Sequence, residues 1–441
     1  MIKQSNNKTF FITESNYCDG RMLEYQHLYN YLIINGWQQV RKISQAQLVV
    51  IGTCALTNTQ EELAVAYIKH CLKNKRKNAL VIIAGCVSQI CPDKLTHLGP
   101  LVIIPTGEMS RIDKYVEPRV PFQQILEPNI VFPSQVLHEE LWVSCFAGRK
   151  RLKLVLSELS LSFDFTRRLF SGFKKLIVLT TLFKAKINPF IERGNKDYFY
   201  LRISNGCLGS CAYCGMKNST GNLSSKNPET VLAEFSNGLK LGRNRFVITG
   251  EDTGCYGLDI ATDFISLLKK MLLNSKEKDI KLIIVNLNAQ WFVKYFKDFK
   301  SILVENAGKF SYLQIPIQSG SDKVLTAMNR PYRIGEVVDC LIEIRRIVPD
   351  LRIATDIIVG FPGEEKQDLK QTISLLQRIN FDFVDIFAFE DRPGTLASNM
   401  HDKISPGEIE DRRISLLKVQ NNRIKLSTLA NRGLGAIKRL L

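Results

Sequence analysis

Short apolar runs alternate with amphipathic segments along most of the chain. Thr9-Phe10-Phe11-Ile12-Thr13, Leu48-Val49-Val50-Ile51 and Leu80-Val81-Ile82-Ile83 read as buried strands. Leu23 to Ile34 reads as a helix stopped by Asn35-Gly36, and Thr57-Asn58-Thr59-Gln60 fits a capping box that opens a helix toward Leu72. This alternation predicts a doubly wound parallel sheet with helices on both faces. A second series begins at Phe199. Its candidate strands are Phe199 to Ser204, Arg245 to Thr249, Lys281 to Val285, Tyr312 to Ile317, Arg352 to Val359 and Phe383 to Phe389. Helical patterns separate them, among them Pro228 to Leu239, with proline in the first turn, and Gly335 to Ile347. Six strand–helix units suit a barrel of parallel strands, closed or partial. A charged amphipathic helix from Glu408 to about Ser427 ends the pattern.

Composition narrows the classes. The 441 residues suggest about three domains, and 45% hydrophobic with 23% charged residues excludes a largely disordered chain. No apolar signal core follows the first eight residues. The longest apolar run, Leu176 to Phe183, falls far short of the roughly 20 residues a membrane span needs. The expectation is a soluble, cytoplasmic chain. Sixty Lys and Arg against 43 Asp and Glu give a net charge of +17, which favours a polyanionic partner or simply a basic surface. Between Arg149 and Arg193 eleven basic residues face three acidic ones, with Phe163, Phe165, Phe170, Phe173 and Phe183 interleaved. Such a segment suits nucleic acid, a peptide or acidic lipid, or serves as a connector with a solvated basic face.

Eleven cysteines in a chain without an export signal point to thiolate chemistry more than to disulfides. Cys18, Cys54 and Cys86 each follow one of the first three strands. Ligands of doubly wound sheets gather outside the carboxyl ends of strands, so these three either meet at one edge or are small buried hydrophobes. Cys207-Leu208-Gly209-Ser210-Cys211-Ala212-Tyr213-Cys214 follows the first strand of the second series. Three thiolates at this spacing suit three irons of a [4Fe–4S] cube and leave the fourth iron open. A structural zinc site needs a fourth ligand, and no nearby Cys or His supplies it.

Cys207, Cys211 and Cys214, with the aromatic Tyr213, resemble the signature of radical S-adenosylmethionine (SAM) enzymes. Further strings are similar to motifs of the radical SAM methylthiotransferases, in order over residues 9 to 105 and 198 to about 420. They are Gly52-Thr53-Cys54-Ala55-Leu56-Thr57-Asn58, Ala84-Gly85-Cys86-Val87-Ser88-Gln89, Gly250-Glu251-Asp252-Thr253-Gly254-Cys255-Tyr256-Gly257, Ile315-Pro316-Ile317-Gln318-Ser319-Gly320-Ser321-Asp322, Ala354 to Glu364, and Arg392-Pro393-Gly394-Thr395. The Glu251 to Gly257 string is nearest to the branch acting on threonylcarbamoyladenosine in tRNA. The resemblance implies a partial (β/α)6 barrel, SAM bound to the open iron, and its reductive cleavage to a 5′-deoxyadenosyl radical. It implies a second, auxiliary [4Fe–4S] cluster on Cys18, Cys54 and Cys86 that carries the sulfur to be delivered. It also implies Gly250 and Glu251 at the SAM amino group, and Gln318, Ser319 and Gly320 near its carboxylate or ribose. Thr355, Asp356, Val359, Gly360 and Phe361 are implied at the adenosyl end.

The chain departs from the family in places. Arg21 stands where the family's Gly-Cys-x-x-Asn has Asn, Thr220-Gly221-Asn222 replaces an Arg-Gly-Arg-like string, and Gln314 replaces a His. The organisation expected is an N-terminal methylthiotransferase domain over 1–134, a basic linker or insertion over 135–195, a radical SAM core over 196–405, and a C-terminal helix over 406–441 with no RNA-binding TRAM barrel. The expected reaction converts a substrate C–H to C–S–CH3, on a tRNA nucleoside or on a protein or ribosomally made peptide. It would draw electrons from a reductase, ferredoxin or flavodoxin. A non-catalytic iron–sulfur RNA-binding protein is the alternative of another class. Cys71, Cys91, Cys145, Cys255 and Cys340 have no ligand spacing and read as core or surface thiols.

Overall fold

The computed structural model describes residues 8–15, 19–99, 101–132 and 197–420. Cys18, Cys145 and the basic segment 149–193 lie outside the described residues. The first unit is a five-stranded parallel sheet of β1 (Thr9–Glu14), β2 (Gln38–Gln39), β3 (Leu48–Thr53), β4 (Leu80–Gly85) and β5 (Val102–Ile104), in the order β2-β1-β3-β4-β5. Its central strands are buried almost end to end, as a parallel sheet covered on both faces requires. Phe11, Val49, Ile51, Val81 and Ile83 pack on one face. Phe10, Ile12, Leu48, Val50 and Ile82 pack on the other.

Helix α1 (Asp19–Ile34) begins four residues before Leu23, because its opening residues Asp19-Gly20-Arg21 are not apolar. It ends where expected. The amide of Gly36 (φ +80°) donates to Ile33 O at 3.0 Å and that of Trp37 to Leu32 O at 2.9 Å, the paired bonds of a glycine-terminated helix. Helix α2 (Asn58–Asn74) carries the reciprocal Thr57/Gln60 capping box.

The second unit is a six-stranded parallel sheet whose strands pair in sequence order. They are β6 (Phe199–Arg202), β7 (Arg245–Thr249), β8 (Lys281–Ile284), β9 (Phe310–Gln314), β10 (Arg352–Val359) and β11 (Phe383–Ala388). Among the described residues β6 and β11 do not pair, so the barrel is partial. The segment near Asn129 runs along the free edge of β6, exchanging two hydrogen bonds with the Tyr200 backbone at 2.7 and 2.8 Å. Strand β9 ends at Gln314, short of the expected Ile317. Pro316 has no N–H to continue the ladder, and Ile317 donates its amide to Thr355 Oγ1 instead. The chain is helical from 406 to 420, and Gln420 there donates to Val384 O on β11.

The outer face of this sheet packs on its helices through Phe199, Leu201, Phe246, Ile248, Leu282, Ile284, Ile353 and Ile357. On the inner face, Tyr200, Val247, Ile283, Tyr312 and Ala354 contact Met22 and Leu23 of α1. The helix that follows the Cys18 position therefore plugs the barrel, and the two sheets meet across its first turns. No helix of the described residues is long and apolar enough to cross a membrane.

Candidate functional site

The loop from Cys207 to Cys214 leaves the carboxyl end of β6 and is pinned on several sides. Lys217 Nζ donates to Cys207 O and Gly209 O, each at 3.0 Å. The Ala212 amide donates to Met328 O at 3.0 Å, and Ala212 O accepts from Ala397 N at 2.8 Å. Asn329 Nδ2 donates to Ser210 O at 2.9 Å and Ser210 Oγ at 2.8 Å. All three cysteines are partly buried. A methyl group placed on Gly209 would stand 3.3 Å from Cys207 Sγ and 3.6 Å from Cys211 Sγ, so both sulfurs border one small space.

The electrostatics of that space suit a polynuclear cation. Burial pushes the Cys207 thiol up to about 11, neighbouring Asp252, Cys214 and Cys211 add to the shift, and the Gly209 amide opposes it from 3.2 Å. Burial and Cys211 likewise raise Cys214, against the amides of Lys217 and Met216. Crowded thiols that resist ionising together do so once a metal supplies positive charge between them. Among the described residues no three His, Cys, Asp or Glu side chains close around a single ion. Three thiols on one short loop are a donor set of the kind that ligates iron–sulfur clusters.

Cys54 and Cys86 emerge from neighbouring strands whose last residues, Thr53 and Gly85, pair in register. The Cys86 amide donates to Thr53 O at 3.1 Å. Gly85 makes that approach possible: its φ is +98°, and a methyl group there would lie 2.3 Å from the same oxygen. Both cysteines are buried, with Cys54 Sγ 3.5 Å from Gln60 Oε1. Strand β1 lies on the other side of β3. This edge is the point where strand order reverses, the usual binding crevice of such sheets.

The segments that follow Cys86 and Cys214 pack on each other. Directly after Cys214, a methyl group on Gly215 would touch Ile90 at 3.7 Å, and Met216 packs into the core containing Cys86, Val87 and Ile90. Ser219 Oγ lies 3.1 Å from both Gln89 Oε1 and Thr106 Oγ1. The residues following one cysteine set are seated on those following the other.

The motif residues matched to SAM lie at or near the carboxyl ends of β7, β9 and β10 but divide by role. Glu251 Oε2 and Gln318 Oε1 are buried without a hydrogen-bond partner among the described residues, a condition that a donor-bearing ligand relieves. Burial raises the Glu251 carboxyl above the usual range, with Arg21 opposing from 3.4 Å. Gln318 holds φ +75°, kept there by bonds between its backbone and those of Asp356 and Ile358. Gly250 borders Ser204, whose Oγ a methyl group there would approach to 2.8 Å.

Tyr213 and Phe361 pack in one cluster with Ala212. Others serve the scaffold. Ser319 Oγ accepts from Ser321 N at 3.2 Å, Gly320 lies against the Thr372 backbone, and Thr355 Oγ1 donates to Ile315 O at 2.8 Å. Val359 points into the sheet–helix core, and the Gly360 amide donates to Glu364. Asp356 sits within β10, not in a loop, opposite Asp385, and accepts from Gln314 Nε2 at 3.0 and 3.2 Å. Gln314, one of the departures, thereby binds another motif residue.

Sequence reasoning did not foresee the charged groups at this interface. Arg21 is buried and pairs with Glu24 and Glu251. Arg202 pairs with Glu24 and Glu127, and Lys226 with Glu127 and Glu234. Arg392, quoted only as part of a motif, forms a buried pair with Glu61 on α2. Cys71, Cys91, Cys255 and Cys340 are buried core thiols.

The Radical SAM superfamily matches residues 201–376, and the Uncharacterized protein family UPF0004 matches residues 11–107. A probable threonylcarbamoyladenosine tRNA methylthiotransferase of Pyrococcus horikoshii is 28% identical over 91% of this chain and 80% of its own length. The threonylcarbamoyladenosine tRNA methylthiotransferase MtaB of Thermotoga maritima is 28% identical over 85% and 73%. The ribosomal protein uS12 methylthiotransferase RimO of Prochlorococcus marinus is 26% identical over 92% and 78%. Among solved structures, the radical S-adenosylmethionine methyltransferase TsrM of Kitasatospora setae superposes with a TM-score of 0.56 at 10% identity, covering 89% of this chain and 77% of that one. That likeness supports the fold alone. With both domain families matched in order and methylthiotransferase relatives aligned across them, the chain is similar to the radical SAM methylthiotransferases, whose radical SAM domain uses SAM and a [4Fe–4S] cluster.

Proposed function

We propose that this enzyme installs a methylthio group on a tRNA nucleoside of the threonylcarbamoyladenosine class. The carrying observation is that Cys54 and Cys86 stand at a strand-end crevice whose flanking residues seat the segment following Cys207, Cys211 and Cys214. The Glu251 to Gly257 string, the relatives' names and the net charge of +17 support the substrate class.

In this reading Cys207, Cys211 and Cys214 hold the radical SAM cluster, and Cys18, Cys54 and Cys86 the auxiliary one. The clusters and SAM, when bound, supply radical C–H chemistry and the sulfur and methyl group transferred. The protein's own residues bind and orient. Glu251 and Gln318 accept hydrogen bonds from SAM, Gly250 leaves room for it, and Tyr213 and Phe361 wall it off from solvent. The Arg21–Glu251 pair ties α1 to this site and so fixes the distance between the cysteine sets. The boundaries 1–134, 135–195, 196–405 and 406–441 remain the domain division proposed, and the cytoplasm, where tRNA and a ferredoxin, flavodoxin or reductase meet, the location.

Anaerobic reconstitution should load about eight irons, two cubes, and the Cys207→Ala/Cys211→Ala/Cys214→Ala variant should keep about half. Mass spectrometry of nucleosides from cells with and without the gene should show a methylthio-nucleoside that depends on it. Four irons in the parent would refute the two-cluster reading. A methylthio group found on a protein or peptide and absent from tRNA would move the substrate to the class named for the uS12 relative.

A further inference from the structure

Arg330 stands directly behind the cysteine loop. Its two preceding residues, Met328 and Asn329, hold Ala212 and Ser210 by the hydrogen bonds described above. Its guanidinium carbon lies 5.9 Å from the centre of the Tyr213 ring. The residue is 7% exposed, yet among the described residues it forms no ion pair with a carboxylate. Nη2 makes one long bond, 3.4 Å, to Pro316 O, and Nε has no hydrogen-bond partner. Asp252 is near, but its oxygens accept from the Gly254 amide at 3.0 Å, the Asn288 amide at 3.4 Å and the Trp291 indole at 3.0 Å.

A guanidinium does not lose its proton in proteins, and a buried charge without a partner is strongly unfavourable. The anion that would balance this one is therefore to be sought next to it. Tyr213 offers Arg330 the face of an uncharged ring. Cys211 and Cys214 flank Tyr213 in the chain, and as metal ligands they are thiolate anions.

We infer that Arg330 is the built-in counter-charge of the cube held by Cys207, Cys211 and Cys214, and that it raises the potential at which that cube is reduced. It acts through the cube, not on substrate. The cube with three thiolates is already anionic, and it takes one electron from an external low-potential one-electron donor. No bond breaks and no proton moves, so the product carries one more negative charge beside the same cation. A fixed positive charge in a water-poor site stabilises that product over the starting state.

The inference rests on those cysteines being the ligands, and the test separates the two. Redox titration with dithionite, followed by electron paramagnetic resonance of the reduced cube, is run on the Cys54→Ala/Cys86→Ala background so that one cube is observed. If that background loads no iron, the ligand assignment fails. If it loads, Arg330→Met and Arg330→Gln should make reduction at least tenfold less favourable at a fixed potential, a downward shift of about 59 mV for one electron. Arg330→Lys, which keeps the charge, should stay near the parent. Loss of iron from both neutral variants but not from Arg330→Lys would support the same role in stronger form. An unchanged potential in a loaded neutral variant overturns the inference, as does Arg330→Lys behaving like Arg330→Met or failing to load.

Discussion

The buried pair between Arg392 and Glu61 joins the barrel to α2 of the first sheet, and removing one half of it should be costly. The side chains are 5% and 3% exposed. Arg392 also donates to Asn58 Oδ1 at 3.1 Å and lies 3.4 Å from Glu390, while Glu61 keeps a second partner, Lys94, at 2.5 Å. Truncating one partner of a buried pair typically costs about 3–5 kcal/mol, because the other charge is left uncompensated. Lys94 is 41% exposed and offsets part of that, so Arg392→Met should lose about 3 kcal/mol, the lower end of that range.

Glu61→Leu should cost a similar amount, since Glu390 compensates Arg392 only partly. The double variant should cost about 4 kcal/mol, less than the roughly 6 of two independent losses, which is a coupling energy of about 2 kcal/mol. Urea unfolding of the iron-free protein, followed by fluorescence and circular dichroism, measures all three. Because the pair spans the two units, Arg392→Met should also split the unfolding into two steps. A single variant within about 1 kcal/mol of the parent, or a double variant equal to the sum of the singles, refutes the reasoning.

Gly320→Ala would set a methyl group 2.5 Å from the Thr372 Cα. Overpacking of this kind should lower stability by about 1–3 kcal/mol, read as a reduced urea midpoint, and an unchanged midpoint would show that the helix can yield. Glu251 gives a pH dependence. Its carboxyl is raised in the folded state, mainly by burial, so the folded chain binds a proton more readily than the unfolded one. Its contribution is fully present below the unfolded value and is lost as pH rises through the folded one. Without SAM, Glu251→Gln should therefore be more stable than the parent at neutral pH, with the difference closing on acidification. A difference independent of pH would show that the Arg21 pair dominates instead.

Much of the site was legible because its signals are local. The cysteine spacing, the motif strings, the Thr57/Gln60 capping box and the Asn35-Gly36 stop each depend on residues a few positions apart. The strands that were legible are those with apolar runs long enough to show a period. In the two parallel sheets β2 and β5 escaped: Gln38–Gln39 has no apolar residue, and the run Leu101 to Ile104 that holds β5 has no long helix after it to complete a strand–helix unit. The site residues split for a similar reason. A motif identifies Gly320 or Thr355, but the helix or loop that each one touches is distant in the chain, so their scaffold roles had no local trace.

The sequence by itself determined the two strand–helix series, the cysteine loop and the family they announce, since hydrogen-bonding periodicity and motif spacing are written within short stretches of chain. Only the tertiary structure decided that Ser219 meets Gln89, that Arg21 reaches Glu251, and that Arg330 lies behind Tyr213. Those meetings join residues far apart in sequence. Nothing within either stretch encodes its partner, and the pairing emerges only when the two sheets pack through the first turns of α1.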